Sequence, residues 1–472
     1  MQRPTRIANA LLAIPALYGL ALAALAVWKQ RTGAANAAAN VAVQVAVGLG
    51  LAIAFLAARR LSLPAKAKLL ALTLSTGLGL LVVECTLTYL QRPGAFTTQA
   101  GATAYRAAAA QKLGQKFDTR TKREVIAAMR SQGVDAVPAF HPEYFFLKAT
   151  SLPLGDYDVI PLGGVANRPT VFCNESGEYL VFESDEHGFN NPKGLYAPGE
   201  VDAVVLGDSF AQGACVCSNV NLASCVREKH PHTLNLGNAG NGPLSALATL
   251  AEYGQPLRPK SVIWCYYEGN DLLDLSREKK SALLRYLKES GYAVDLMSRQ
   301  AAIDRELTRI IEEERAKPAT AADDGPVENQ DALFTVSSIL TLGRVRAGVG
   351  KLLRRGDPNA FPQGEEVSLL KEVLQAAKER TERGGGRLYF VYLPAYERYG
   401  RRGYPDQQYN RVKEVVAELG LPFVDVRQAF DRHGDALGLF PFRVWGHYTE
   451  EGYRLAAETI LQAMDEPAKK AP

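Results

Sequence analysis

The stretch Val204–Gly213, VVLGDSFAQG, is an apolar run that stops abruptly at Gly207, Asp208 and Ser209. Together with Asp202 and Ala203 it reads as a strand with no polar alternation, the pattern of a strand buried on both faces. Four later segments share that character: HTLNLGNAGNG (232–242), SVIWCYYEGND (261–271), GRLYFVYLP (386–394) and LPFVDV (421–426). Helical segments such as 369–383 and 408–419 lie between them. Strands alternating with helices predict an α/β fold, a parallel sheet covered on both sides. In such sheets functional groups collect beyond the carboxyl ends of the strands. Ser209 sits at one of those ends, where a helix would begin. A serine there serves either as a helix N-cap or as an exposed nucleophile whose own amide helps to hold negative charge.

The other strand ends bear on that choice. The turn after the second strand supplies Gly240, where a backbone N–H can approach a substrate oxygen closely. The third strand ends at Asn270, a side-chain donor. With the Ser209 amide these are three donors of the kind an acyl-transfer oxyanion hole needs, although Gly and Asn are also ordinary turn residues. Near the C-terminus, GHYTEEGYRLAAETI places His447 just before a helix, as a general base for a serine hydroxyl.

At these residues the chain resembles the SGNH hydrolases, the GDSL esterase/lipase superfamily. GDSFAQG matches the first family block, Gly240 and Asn270 match the next two, and His447 in HYTEEG matches the catalytic histidine. The resemblance spans roughly 201–465. It implies a three-layer α/β/α sandwich with a parallel, flavodoxin-like sheet. It also implies Ser209 and His447 as catalytic residues, an oxyanion hole of Ser209, Gly240 and Asn270, and ester chemistry with no metal and no cofactor. One position departs from the family. Where an Asp usually stands three residues before the histidine, this chain has Val444. Asp425, Asp431 and Asp435 lie upstream without any sign that they reach His447, and a backbone carbonyl is the other way to orient the ring. His433 is a competing base that lacks the following helix, and reads as a surface residue.

The chain of 472 residues is long enough for two or three domains, and its net charge of +4 with no basic stripe argues against nucleic-acid binding. Three apolar runs, 8–28, 41–58 and 69–90, each approach the length of a membrane-crossing helix and predict three transmembrane helices. The first run is longer than a signal-peptide core. Arg3 and Arg6 before the first run, and Arg59, Arg60, Lys66 and Lys68 in the second loop, place those segments on the cytoplasmic side. Everything after Leu90 is then expected outside. The expected organisation is a membrane anchor (1–92), a leader region packing on the catalytic part (93–200), and an SGNH-like domain (201–472) with a helical insertion at about 276–362. Glu84, near the outer end of the third run, is expected to reach the interface.

Within the leader, TKREVIAAMRSQG has helical periodicity, and PTVFCNESGEYLVFES reads as two short strands around an Asn-Glu-Ser-Gly turn. SDEHGFNNP, with His187, reads as a polar loop. In the insertion, Ile303, Leu307 and Ile310 share one helical face, and a second amphipathic segment with a basic side covers 340–355. Of the exported cysteines, Cys265 reads as a buried thiol. Cys173, Cys215, Cys217 and Cys225 allow up to two disulfides, with Cys217–Cys225 the nearest pair in sequence. The expected protein is an anchored esterase of a bacterial cytoplasmic (inner) membrane, its site in the periplasm. It would act on acyl groups, acetyl foremost, of a glycan or other ester. An O-acyltransferase using the same Ser209 and His447, and a non-catalytic envelope scaffold or glycan-binding protein, are the alternatives.

Overall fold

The computed structural model describes residues 2–31, 38–90, 99–148, 150–155, 157–316, 342, 345, 363–400 and 403–466. It divides into two compact units, one of residues 1–95 with 329–358, the other of 96–328 with 359–472.

The first unit is helical. Segments Pro4–Ala24 and Leu63–Thr86 are long and apolar enough to cross a membrane. The middle apolar run folds as helix Ala38–Ala57, but part of its side chains fall outside the described residues. Among the described residues, two of the three expected spans meet the length and hydropathy. The first segment breaks at Leu12 between helices Gln2–Leu11 and Ala13–Arg31, because Pro15 has no N–H to offer the Leu11 carbonyl. Helices Ala13–Arg31 and Ala38–Ala57 pack through small residues. A Cβ on Gly19 or Gly48 would lie 2.5 Å from the other's carbonyl oxygen, the close approach that apolar helices use in lipid. Glu84 is buried and accepts a hydrogen bond from the Val345 amide at 2.8 Å.

The second unit is built on a five-stranded parallel sheet. Its strands are β6 (Ala203–Leu206), β7 (Thr233–Asn235), β8 (Ser261–Tyr267), β9 (Arg387–Leu393) and β10 (Phe423–Asp425). The spatial order is β10-β9-β8-β6-β7, the flavodoxin-like arrangement, and all five expected strands are present. Alternate side chains go to opposite faces. Val204, Leu206, Val262, Trp264, Leu388 and Phe390 enter one core, with helices Gln363–Arg383 and Gln407–Glu418. Ala203, Val205, Ile263, Cys265, Tyr389 and Val391 enter the other, with helices Leu222–Arg227, Val426–Arg432 and Glu450–Asp465. Two apolar faces, each roofed by helices, make the three layers.

The chain leaves β6 toward β7 and then crosses to β8 on the other side. The gap between the ends of β6 and β8 is therefore the switch point at which open α/β sheets place their sites. Ser209 follows β6 and Asn270 follows β8.

Residues 96–200 belong to the same unit. They carry five short strands: β1 (Val137–Pro138), β2 (Leu152–Leu154), β3 (Tyr157–Val159), β4 (Pro169–Val171) and β5 (Val181–Glu183). β2 and β3 form a hairpin, while β1-β4-β5 form a second small sheet in which β4 and β5 run antiparallel. Helix Lys122–Ser131 starts at a capping box of Thr121 and Glu124, which satisfies two amides reciprocally. In SDEHGFNNP the buried Asp185 carboxylate accepts bonds from the His187 and Phe189 amides, the Asn191 amide group and the Tyr196 hydroxyl, so it is a structured loop. In the insertion, helix Gln300–Ala316 buries Ile303, Leu307, Ile310 and Ile311. The linker after it and most of the basic segment at 340–355 lie outside the described residues.

Candidate active site

β6 ends at Leu206, and Gly207 turns the chain with φ +143°. Any Cβ there would stand 2.8 Å from the Cys265 carbonyl oxygen, so only glycine passes between the strands. Asp208 then caps a single helical turn, Ser209–Gln212, accepting the Phe210 amide at 2.9 Å. Asp208 is thus a shaping residue. Burial lifts its carboxyl to about 6, against the opposing effects of the Phe210 amide, the His447 charge and the Asn270 side chain. Asn270 accordingly stands beside Asp208 at the Ser209 turn. The Gly240 turn is tied to the same place, since the Asn238 amide bonds the Gly207 carbonyl at 3.1 Å. Gly240 has φ +76°, and a side chain there would run into Glu143, 2.9 Å away. Between Gly240 and Gly242, Asn241 is buried with neither amide atom hydrogen-bonded.

Ser209 is half-buried, and its Oγ lies 2.7 Å from His447 Nε2. On the other side of the ring, Nδ1 lies 2.8 Å from Glu175 Oε2, which also accepts the His447 backbone amide at 2.7 Å. The second carboxylate oxygen of Glu175 takes a 2.7 Å ion pair from Arg106, itself buried. Arg106 also reaches the Trp445 carbonyl at 3.4 Å, and its guanidinium lies 4.3 Å from the centre of the Trp445 ring. Burial by itself would raise the Glu175 carboxyl, but the charges of Arg106 and then His447, with the bonds from His447, bring it down to about 2. Glu175 is therefore ionised and accepts only. That sets the tautomer of His447: Nδ1–H donates to Glu175, and Nε2 keeps a lone pair for the Ser209 hydroxyl proton. The ring is backed by Phe210, whose centroid is 4.6 Å away and which stacks on Tyr267 at 4.0 Å.

Glu175 answers the question left by Val444. It lies in the Asn-Glu-Ser-Gly turn between β4 and β5, a segment with nothing in its sequence to set it apart from an ordinary turn. Asp425 is occupied by the Tyr409 hydroxyl at 2.5 Å, Asp431 by Arg427 at 3.4 Å, and Asp435 by Arg443. A backbone carbonyl is not needed in the role. His433 pairs with Glu451 at 3.2 Å at the surface. The expected Cys217–Cys225 pair does not form. Cys173 bonds Cys215 instead, while Cys217 is exposed and Cys225 is buried with its thiol toward the Val220 carbonyl at 3.6 Å. Cys225 lies in a helix facing the sheet, which turns it away from Cys217. Cys265 is a buried free thiol. A Cys215 sulfur, a Glu175 oxygen and a His447 nitrogen lie within 4.8 Å of one another. With Cys215 in a disulfide and Glu175 paired to Arg106, that set is not a free metal-ligand group.

No protein-family model and no curated protein matches the sequence. Among solved structures, the chain is similar to a protein described as lipolytic, of the G-D-S-L family, from Desulfitobacterium hafniense. The identity is 13%, over 56% of this chain and 99% of that one, with a TM-score of 0.29. It is also similar to an acetylxylan esterase from Geobacillus stearothermophilus (13% identity, 58% and 98% covered, TM-score 0.30). A lipase/acylhydrolase from Enterococcus faecalis is a third (14%, 57% and 100%, 0.30).

Proposed function

We propose that this protein is a membrane-anchored serine esterase of the SGNH type that removes acyl groups, acetyl foremost, from an extracytoplasmic glycan. The observation that carries the reading is the hydrogen-bonded series Ser209–His447–Glu175. His447 Nε2 takes the Ser209 proton as Oγ attacks the ester carbonyl, and ionised Glu175 stabilises the imidazolium that forms. The tetrahedral oxyanion rests on the Ser209 and Gly240 amides and the Asn270 side chain. His447 returns its proton to the departing alcohol, then activates the water that cleaves the acyl-enzyme. Three spans, with the positive segments inside, would hold residues 93–472 outside a bacterial cytoplasmic membrane. The glycan rests on analogy of location and fold.

The test is release of acid from a chromogenic acetyl ester by the full-length chain in detergent, against Ser209→Ala and His447→Ala. Activity in the parent that both substitutions abolish is expected. A parent with no activity toward any simple ester, or a Ser209→Ala protein that keeps it, defeats the reading. A glycan acceptor added to the same assay distinguishes transfer from hydrolysis, and a reporter fused after Pro472 that works only in the cytoplasm overturns the topology.

A further inference from the structure

We infer that the Cys173–Cys215 disulfide is a positioning device for the triad carboxylate, which makes turnover at Ser209 dependent on the oxidation state of this pair. The inference rests on the esterase reading above.

The bond joins the two loops that must meet for the triad to exist. Cys173 is two residues before Glu175, and Cys215 is six residues after Ser209. The Glu175 loop, 172–180, hangs between β4 and β5, each only three residues long. A strand pair that short is a weak platform. Phe172 and Leu180 anchor the two ends of the loop in an apolar cluster with Ala214 and Cys215, and its tip is held by Asn174 Nδ2 to the Asp118 carbonyl at 2.8 Å, the Gly177 amide to Asn174 Oδ1 at 3.0 Å, and Ser176 Oγ to the Cys215 carbonyl at 2.5 Å. To these the disulfide adds the covalent tie. Cys215 itself sits at φ +62°, a left-handed backbone that is uncommon for a non-glycine residue. Release would move the Cys215 carbonyl, and with it the anchor of Ser176, the residue next to Glu175.

The bond is reachable. Cys173 is half-buried, and the buried Cys215 is one of the residues lining a cavity of about 1260 Å³, with Ser176, Gly177, Cys217 and Thr449. A small dithiol entering there attacks one cystine sulfur as thiolate, breaking the S–S bond and forming a mixed disulfide. Its second thiol then closes a cyclic disulfide. The cystine gains two electrons and two protons, and the dithiol loses them.

The experiment uses the full-length chain in detergent, with Cys217→Ser in every arm because that exposed thiol lines the same cavity and would exchange. A chelator is present throughout, since a freed Cys215 thiolate beside Glu175 and His447 could capture metal. Reduction by dithiothreitol, or Cys173→Ser with Cys215→Ser, is expected to lower kcat/KM roughly tenfold to a hundredfold, mostly in kcat, and reoxidation to restore the reduced protein. In a Glu175→Ala background the same loss of the disulfide should change kcat/KM by less than about twofold, because its effect runs through that carboxylate. A readout independent of turnover is carbethoxylation of His447 by diethyl pyrocarbonate across pH, followed by peptide mass spectrometry. The reduced chain should reproduce the profile of Glu175→Gln instead of the oxidised parent's. Unchanged kinetics and profile on reduction would overturn the inference, as would an equal loss in the Glu175→Ala background, which marks a merely structural bond. An oxidised parent that cleaves no ester counts against the esterase reading, and the carbethoxylation profile still decides this one.

Discussion

His447 is held from two sides by regions built on different physics. On the Nε2 side, Ser209 stands at the end of β6, a strand buried on both faces, with Gly207 wedged against the Cys265 carbonyl and Phe210 packed behind the ring. Apolar burial sets that geometry, and moving it means disturbing the core. On the Nδ1 side, Glu175 sits in a turn between three-residue strands, placed by an ion pair, a few hydrogen bonds and a disulfide. The first region can fail only with the fold. The second can fail by itself, leaving a folded protein with an unguided histidine.

Five experiments break or sharpen that contrast. Ser209→Ala should lower kcat on the order of 10⁵- to 10⁶-fold with little loss of thermal stability, read by ester hydrolysis and a melting curve. Glu175→Ala should cost about 10³- to 10⁴-fold in kcat while KM stays nearly unchanged. Arg106→Met leaves the buried Glu175 charge uncompensated. It should destabilise by about 3–5 kcal/mol in denaturant unfolding, and reduce kcat about tenfold if Glu175 loses its orientation.

The last two concern pH and run in opposite directions. Glu175 titrates at about 2 in the folded protein, below the ordinary glutamate value of about 4.3. Between those values the unfolded chain binds more protons. The contribution of Glu175 to stability is therefore complete above about pH 4.3 and is lost as pH falls toward 2. Glu175→Gln should flatten that acid limb of the melting temperature. Asp274, in the helix after β8, behaves the other way. Burial, and next the neighbouring Glu278, raise it to about 8 against the pull of Arg277. Here the folded state holds a proton that the unfolded chain gives up, so stability declines as pH rises from about 3.9 toward 8. Asp274→Asn should make the melting temperature less sensitive between about pH 4 and 8, the smallest effect of the five. Equal slopes for Asp274→Asn and the parent would show that this carboxyl titrates normally.

The same contrast explains what could be read from the residues alone. Strands buried on both faces announce themselves as apolar runs, and Ser209, Gly240, Asn270 and His447 stand at the ends of regular elements where local pattern marks them. The sheet order, implied by the family resemblance, is the one observed across β6 and β8. The Cys217–Cys225 pair was inferred from nearness in sequence, which does not know which way a side chain faces. Local sequence thus determined the layered α/β unit and marked Ser209, His447 and the candidate oxyanion donors. Tertiary structure alone decided the carboxylate that meets His447 and the disulfide. Glu175 meets His447 across 272 residues of chain from a turn whose residues suit any turn. Whether such a carboxylate orients a histidine depends on Arg106 and the Cys173–Cys215 bond bringing it there, and contacts at that separation leave no periodic trace in sequence.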